Sequence, residues 1–227
     1  MEMQFDDDAE PRQRQKEFLI SFIDRGSKES HRYYLSRRTV LEMLHDRGYS
    51  VPDSEIEMSL HQFRGIYGQS PDTSRLRISA SHESNPSKKI LVVFCNQEII
   101  KVNQVRNLAG LITDKESLSR LIVVMQDKIT DQAMKNWDMF PFKVEIFQIT
   151  DLLVNVTKHK MMPKHRLLTN EEKEQLLKKY SVDEKQLPRI KVDDAIVRYY
   201  AFEKGQVLEV TSNNEITGSY ISYRCVW

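Results

Sequence analysis

Ile90-Leu91-Val92-Val93-Phe94-Cys95 is a nearly continuous apolar run, too short for a typical helix and rich in β-branched and aromatic side chains. A strand that is apolar at every position has no solvent face, so the run predicts a strand buried on both sides of a sheet. Leu121 to Met125 repeats the pattern, and Phe142, Val144, Ile146 and Phe147 predict a further strand. Between these runs the spacing is helical. Asn103 caps an expected helix through Val105, Leu108, Leu111 and Ile112, and Thr130 to Phe140 reads as another. Leu76, Ile78 and Ala80 alternate as a strand, Ser81 to Ser87 reads as a polar loop, and Ile99 to Val102 is a further expected strand. Strands alternating with helices from about 76 to 148 predict a three-layer α/β domain.

N-terminal to this block, Tyr33, Tyr34, Leu35, Val40, Leu41 and Leu44 lie at helical spacing, and Gly48 follows as a C-terminal cap. Ser54 with Glu57 reads as a capping box for a helix buried through Ile56, Leu60 and Phe63. Residues 1–26 are expected to be an acidic, flexible tail; the first ten carry five acids and no base. A short helix over Gln13 to Asp24 would be marginal alone.

C-terminal to the α/β block, Thr169 with Glu172 opens an expected helix buried through Leu176, Leu177 and Tyr180. Ser181 with Glu184 opens a short turn ended by Pro188. Asp193 or Asp194 caps a helix through Ile196, Val197 and Tyr200. Gly205 turns the chain into a strand from Gln206 to Thr211, Asn213-Asn214 is an expected turn, and Tyr220 to Val226 is the closing strand. The expected units are an α/β domain at 27–149 and a small α+β module at 150–227.

Composition narrows the function. The 227 residues carry 30% charged side chains yet a net charge of only +1, so any nucleic-acid contact is a local patch. The N-terminus is acidic where a secretory signal is basic and then apolar, and no stretch approaches the roughly 20 apolar residues that span a bilayer. The expectation is a nuclear or cytosolic chain with no membrane contact. Cys95 and Cys225, far apart in apolar runs, read as reduced, buried thiols.

Catalytic patterns fail one by one. The seven glycines are scattered, leaving no phosphate loop, and neither HExxH nor GxSxG occurs. His159 and His165 are six apart, and His31 and His45 fourteen apart, so neither pair has the i, i+4 geometry of a helical metal site. A magnesium nuclease needs an acid on one strand and Asp/Glu-x-Lys on the next. Pro71-Asp72 supplies a first acid, but that tripeptide occurs only as Glu171-Glu172-Lys173 and Asp183-Glu184-Lys185, in expected helices beyond the α/β domain. No enzyme activity, cofactor or metal is expected. The basic stretch from Lys158 to Lys191, ten bases against five acids, lacks interleaved aromatics for base stacking.

Several short motifs in order carry a resemblance. Gln186-Leu187-Pro188-Arg189-Ile190, Asp194 with Ala195-Ile196-Val197-Arg198-Tyr199-Tyr200, Lys204-Gly205-Gln206-Val207 and Tyr220-Ile221-Ser222-Tyr223-Arg224 resemble the assembly domain of the shared fifth subunit of nuclear RNA polymerases. The archaeal counterpart of that subunit, polypeptide H, lacks the jaw domain. Ser30-His31-Arg32-Tyr33-Tyr34 and Met43-Leu44-His45-Asp46-Arg47-Gly48-Tyr49 resemble the opening helix of the eukaryotic jaw domain. The resemblance covers roughly residues 27 to 227. It implies a jaw of endonuclease-like topology without catalytic acids, followed by an H-like α+β assembly domain.

The sequence departs from the family's usual pattern at Ala195, at Ala201-Phe202, where Gly-Leu is usual, and at Ser219, where a basic residue is usual. These departures resemble a specialised plant paralogue, and the expectation is that of polymerase V, which serves RNA-directed DNA methylation. The alternatives are a subunit shared by polymerases I, II and III and a free-standing adaptor for transcription factors. The resemblance implies docking on the largest subunit beside neighbouring small subunits, in the nucleus, with weak phosphate contacts to downstream duplex DNA. Arg189, Arg198, Tyr199, Tyr223 and Arg224 are the expected docking residues, since Arg and Tyr are enriched at interface hot spots. Tyr199 and Tyr223 fit the module's own core equally well. Arg37, Arg38, Lys88 and Lys89 are the candidate DNA-backbone contacts; each fits plain surface equally well.

Overall fold

A computed structural model describes residues 26–95, 99–100, 118–126, 128–130, 135, 137, 140–214 and 218–227. The expected tail, its short helix, the helix over 103–112 and most of that over 130–140 lie outside the described residues; Lys135 and Trp137, which are described, are helical.

The first helix, α1 (Lys28–Asp46), starts where the Ser27 hydroxyl accepts from the backbone N–H groups of Glu29 and Ser30. It ends in a Schellman turn. Gly48 N–H donates to the His45 carbonyl and Tyr49 N–H to that of Leu44, with Gly48 at φ +80°. In place of the single expected helix after it, the chain forms two, α2 (Asp53–Ile56) and α3 (Leu60–Tyr67). The capping box is Ser59 with Gln62, not Ser54 with Glu57. The Tyr34 hydroxyl donates to the Met58 carbonyl at 3.0 Å and holds the break between them.

Leu76 falls in a 3₁₀ turn (Thr73–Leu76) before β1 (Ile78–His82). β2 (Asn85–Phe94) starts earlier than expected and takes in Pro86 at its exposed end. β3 (Ile99–Ile100) pairs with β5 (Lys128–Ile129). β4 (Leu118–Met125) and β6 (Lys143–Gln148) complete a sheet in the order β1-β2-β4-β6, with β1 antiparallel and the other three parallel. Two-sided burial is as the apolar runs require. Ile90, Val92, Phe94, Ile122 and Val124 pack toward α1, while Leu91, Val93, Leu121, Val123 and Met125 pack with Trp137 and Phe142 on the opposite face.

The C-terminal module has a second sheet, ordered β7-β9-β10-β8. β7 (Lys164–Leu167) and β8 (Arg189–Ile190) carry too few apolar residues to be read from sequence; β9 (Val207–Asn214) and β10 (Gly218–Val226) form the expected hairpin. Asn213 and Asn214 are still in β9, facing Ser219 and Gly218, so the turn comes later than expected. α4 (Asn170–Tyr180) has the expected Thr169–Glu172 box and covers one face with Leu176; Tyr180, expected to be buried, is 54% exposed at the helix end. The other face is covered by α5 (Ala195–Tyr200), capped by the Asp194 carboxylate accepting from Ile196 N–H. Among the described residues no helix is long and apolar enough to cross a membrane.

Ile122 is fully buried in a central strand, whereas Ile66 on α3 is 49% exposed. Ile122→Ala is expected to cost about 2–5 kcal/mol and Ile66→Ala less than about 0.5 kcal/mol. Urea unfolding of the two variants checks this; equal losses would mean that the sheet is not the core.

Candidate interaction surfaces

α5 is apolar nearly all round, because Ile196, Val197, Tyr199 and Tyr200 occupy most of its six positions. Such a helix is buried on more than one side. Val197 faces its own module, while Tyr199 belongs to the α1 core of the first domain. The two units therefore share a hydrophobic seam.

Arg47, at the end of α1, ties the seam together. Its Nη1 and Nη2 donate to the two Glu145 carboxylate oxygens at 3.2 and 2.8 Å. Its Nε and Nη2 also donate to the carbonyls of Tyr199 and Arg198, both at 2.7 Å. Both carbonyls lie in the last turn of α5, where that of Arg198 also accepts from the Ala201 N–H at 3.2 Å. The Arg47 side chain is 5% exposed, so four charge-assisted contacts satisfy a buried cation. Arg120 Nη1 meets Glu145 from the other side at 2.8 Å. Burial pushes the Glu145 carboxyl up, but Arg47 and Arg120 outweigh it and hold the group below its ordinary value.

A second cluster lies beside the first. The Tyr199 hydroxyl donates to Asp46 at 2.7 Å and accepts from Asn155 Nδ2 at 3.1 Å. Asn155 Nδ2 also reaches Glu42 at 2.8 Å. Burial, then the Asp46 carboxylate, push the Tyr199 hydroxyl well above the ordinary phenol range. Arg198 donates to the Ile146 carbonyl at 2.7 Å, meets Asp151 at 3.1 Å and lies 4.4 Å from the Phe147 ring centroid.

Two of the five expected docking residues thus hold the domains to each other. Tyr199 is buried, and Arg198 is fixed by Ile146 and Phe147 of the first domain and by Asp151 just beyond it. The other three lie apart from the seam. Arg189 is exposed on β8, with its guanidinium 4.2 Å from the ring centroid of Trp227, itself 58% exposed. Arg224 is exposed on β10, and half-buried Tyr223 packs over Leu168, Leu176 and Cys225. The β10 side chains Tyr220 and Ile221 are also exposed. They lie two to four residues before Tyr223 and Arg224, and an apolar pair toward the turn end of a hairpin is the sequence signal for them.

The basic candidates divide similarly. Arg37, expected at the surface, is instead buried: its Nη2 meets Glu55 at 2.6 Å and its guanidinium lies against Tyr67, so it faces inward. Arg38 is exposed and pairs loosely with Glu42. Lys88 is exposed and Lys89 half-buried on the first part of β2. Cys225 is buried and Cys95 partly so; burial pushes the Cys95 thiol up to about 11. Asp72 caps a 3₁₀ turn through Ser74 at the surface. Among the described residues no three His, Cys, Asp or Glu side chains converge as metal ligands.

Arg47→Ala leaves Glu145 buried with one partner fewer, and is expected to cost about 3–5 kcal/mol. Chemical denaturation checks this, and a loss below about 1 kcal/mol would contradict the seam's importance. Acid supplies a second check. The Glu145 and Glu42 carboxyls lie below their ordinary value of 4.5 in the folded chain, so their contribution is complete above that pH. It is lost as pH falls through the folded values. Glu145→Gln is expected to flatten the acid limb of stability against pH; an unchanged limb would assign it to other carboxylates.

Comparison with known proteins agrees with this two-part architecture. Residues 27–112 match the family model described as RNA polymerase Rpb5, N-terminal domain, and residues 154–226 that of the C-terminal domain. The chain is 54% identical over 209 residues to DNA-directed RNA polymerase V subunit 5A of Arabidopsis thaliana, covering 92% of this chain and 94% of that protein. It is 53% identical over 212 residues to the subunit 5B of polymerases IV and V from the same plant, covering 93% and 97%. Against the Caenorhabditis elegans subunit RPABC1 of polymerases I, II and III the identity is 34% over 205 residues, covering 87% and 97%. With both domain models matched in order across most of its length, the chain belongs to the Rpb5 family of RNA polymerase subunits.

Proposed function

We propose that the chain is a non-catalytic subunit of a nuclear DNA-directed RNA polymerase, of the plant polymerase V type. The observation that carries this reading is 54% identity across 94% of the Arabidopsis polymerase V subunit 5A, against 34% for a subunit shared by polymerases I, II and III. In this reading 27–149 is the jaw and 150–227 the assembly module. The parallel β2, β4 and β6 support an endonuclease-like jaw used as scaffold. Its buried strand acid, Glu145, is committed to two arginines and not to a metal.

The assembly module docks on the largest subunit through the surface that carries Arg189, Tyr223 and Arg224, extended by exposed Tyr220, Ile221 and Trp227. Exposed aromatic side chains beside arginines are the composition of interface hot spots. Arg198 and Tyr199 contribute indirectly, by fixing the angle between module and jaw. Arg38, Lys88 and Lys89 offer sequence-independent phosphate contacts to downstream duplex, which salt weakens.

The test is incorporation. Wild-type tagged chain is expected to sediment with a high-mass complex from nuclear extract, and the Arg189→Glu/Arg224→Glu variant, which changes only exposed groups, to lose about ten-fold or more of that yield. Incorporation of the variant at wild-type yield would remove these arginines from the interface. A wild-type chain that sediments alone would sink the subunit reading and favour the adaptor.

A further inference from the structure

Between the two domains the chain runs over the surface of α1, and Val154 stands out from it, 68% exposed. Beside Val154 lies an open groove of about 440 Å³. Leu35, Leu153 and Val154 give it an apolar floor, and Arg38, Lys158 and Lys160 line it with positive charge. The one carboxylate in the lining, Glu42, is already engaged: Lys158 Nζ lies 2.7 Å and Arg38 Nε 3.3 Å from the same oxygen, and Asn155 holds the other. Three cations against one carboxylate leave an excess of positive charge over apolar ground. Lys158 and Lys160 are exposed. The groove has the size of a ligand cleft, for which about 300–1,000 Å³ is usual, and the chemistry of a site for an acidic segment that also carries apolar side chains.

The chain contains such a segment. Residues 1–10 read Met-Glu-Met-Gln-Phe-Asp-Asp-Asp-Ala-Glu, five acids with no base, interleaved with Met1, Met3 and Phe5. Fifteen residues, 11–25, connect it to Gly26, where the described chain begins two residues before α1. A coil of that length spans on the order of 20 Å and a helix about 23 Å. The groove's α1 residues, Leu35 to Glu42, lie about 10–21 Å along the helix from Lys28. Either form of the connector reaches. A tethered segment also meets its site at an effective concentration of roughly millimolar, so a weak contact suffices.

We propose that the acidic segment 1–10 occupies this groove in cis, with its carboxylates on Arg38, Lys158 and Lys160 and its apolar side chains over Leu35 and Val154. In that position it screens Arg38, one of the cations offered to phosphate, and a polyanion has to displace it. The segment is then an internal competitor that weakens non-specific nucleic-acid contact by the free subunit.

Zero-length carbodiimide coupling, which joins carboxylates to amines, tests this on the full chain as an equal mixture of light and heavy-isotope forms. The Lys158–Glu42 link serves as internal control, since that pair is already in contact. The expected result is links from residues 2–10 to Lys158 and Lys160 within one isotope form. They should fall by on the order of five-fold when salt rises from about 0.05 to 0.5 M, and disappear in the Asp6→Asn/Asp7→Asn/Asp8→Asn variant. Links only between isotope forms would overturn the proposal and make a second copy the occupant. So would tail links confined to other lysines, or formation of the control link with no tail link at all.

Discussion

A single guanidinium fixes how the two halves of this molecule meet. Arg47 leaves the end of α1 in the first domain, neutralises Glu145 on β6 and donates to two carbonyls at the end of α5 in the second. Each group would be costly to bury alone: a cation, a carboxylate and the end of a helix. Together they are satisfied, and the Tyr199 hydroxyl between Asp46 and Asn155 continues the same arrangement. Ion pairs farther out, such as Lys143 with Glu203, are exposed and add little. Linked units usually move relative to each other unless their interface is large and apolar. Here the seam is apolar at Tyr199 and pinned by buried hydrogen bonds, so, in the proposed reading, a second domain gripped by one partner orients the first for another.

The central sheet was legible from its apolar runs, because burial on both faces leaves no polar position to obscure a strand. Helix starts were legible where a capping box stood alone, as at Thr169, open between Asp193 and Asp194 until the structure placed the cap at Asp194, and misplaced where Ser54 and Ser59 competed as caps six residues before and one residue before Leu60. β7 and β8 were missed because an edge strand such as Lys164-His-Arg-Leu167 owes its form to the partner strand β9 and not to its own composition. The site was less legible. Arg198 and Tyr199 have the composition of a docking surface, and only the packing of α5 against Phe147 and Asp46 shows that their partner lies in the same chain. Arg37 was misjudged for a related reason: beside Arg38 it looks like surface, yet neighbouring helix positions point about 100° apart and only one of the pair faces water. Glu145 carries a signal of its own, a lone acid among Val144, Ile146 and Phe147.

The departures from the family's usual motif also have places in the fold. Ala201 ends α5 at φ +55°, a left-handed conformation that glycine adopts without strain and that costs another residue about 1–2 kcal/mol. The seam around Tyr199 and Tyr200 holds it there. Ser219 lies exposed on β10, where loss of a basic side chain alters what the hairpin offers a partner and leaves the core untouched. In the proposed reading, change at exposed positions with the core retained adapts one scaffold to a different largest subunit.

That adaptation is the central claim, and the identity of the partner tests it most directly. Tagged chain purified from native plant nuclear extract, with its co-purifying largest subunit identified by mass spectrometry, is predicted to bring down the largest subunit of polymerase V above all others. Recovery of the largest subunits of polymerases I, II and III in comparable amounts would contradict a dedicated paralogue and make this chain a shared component.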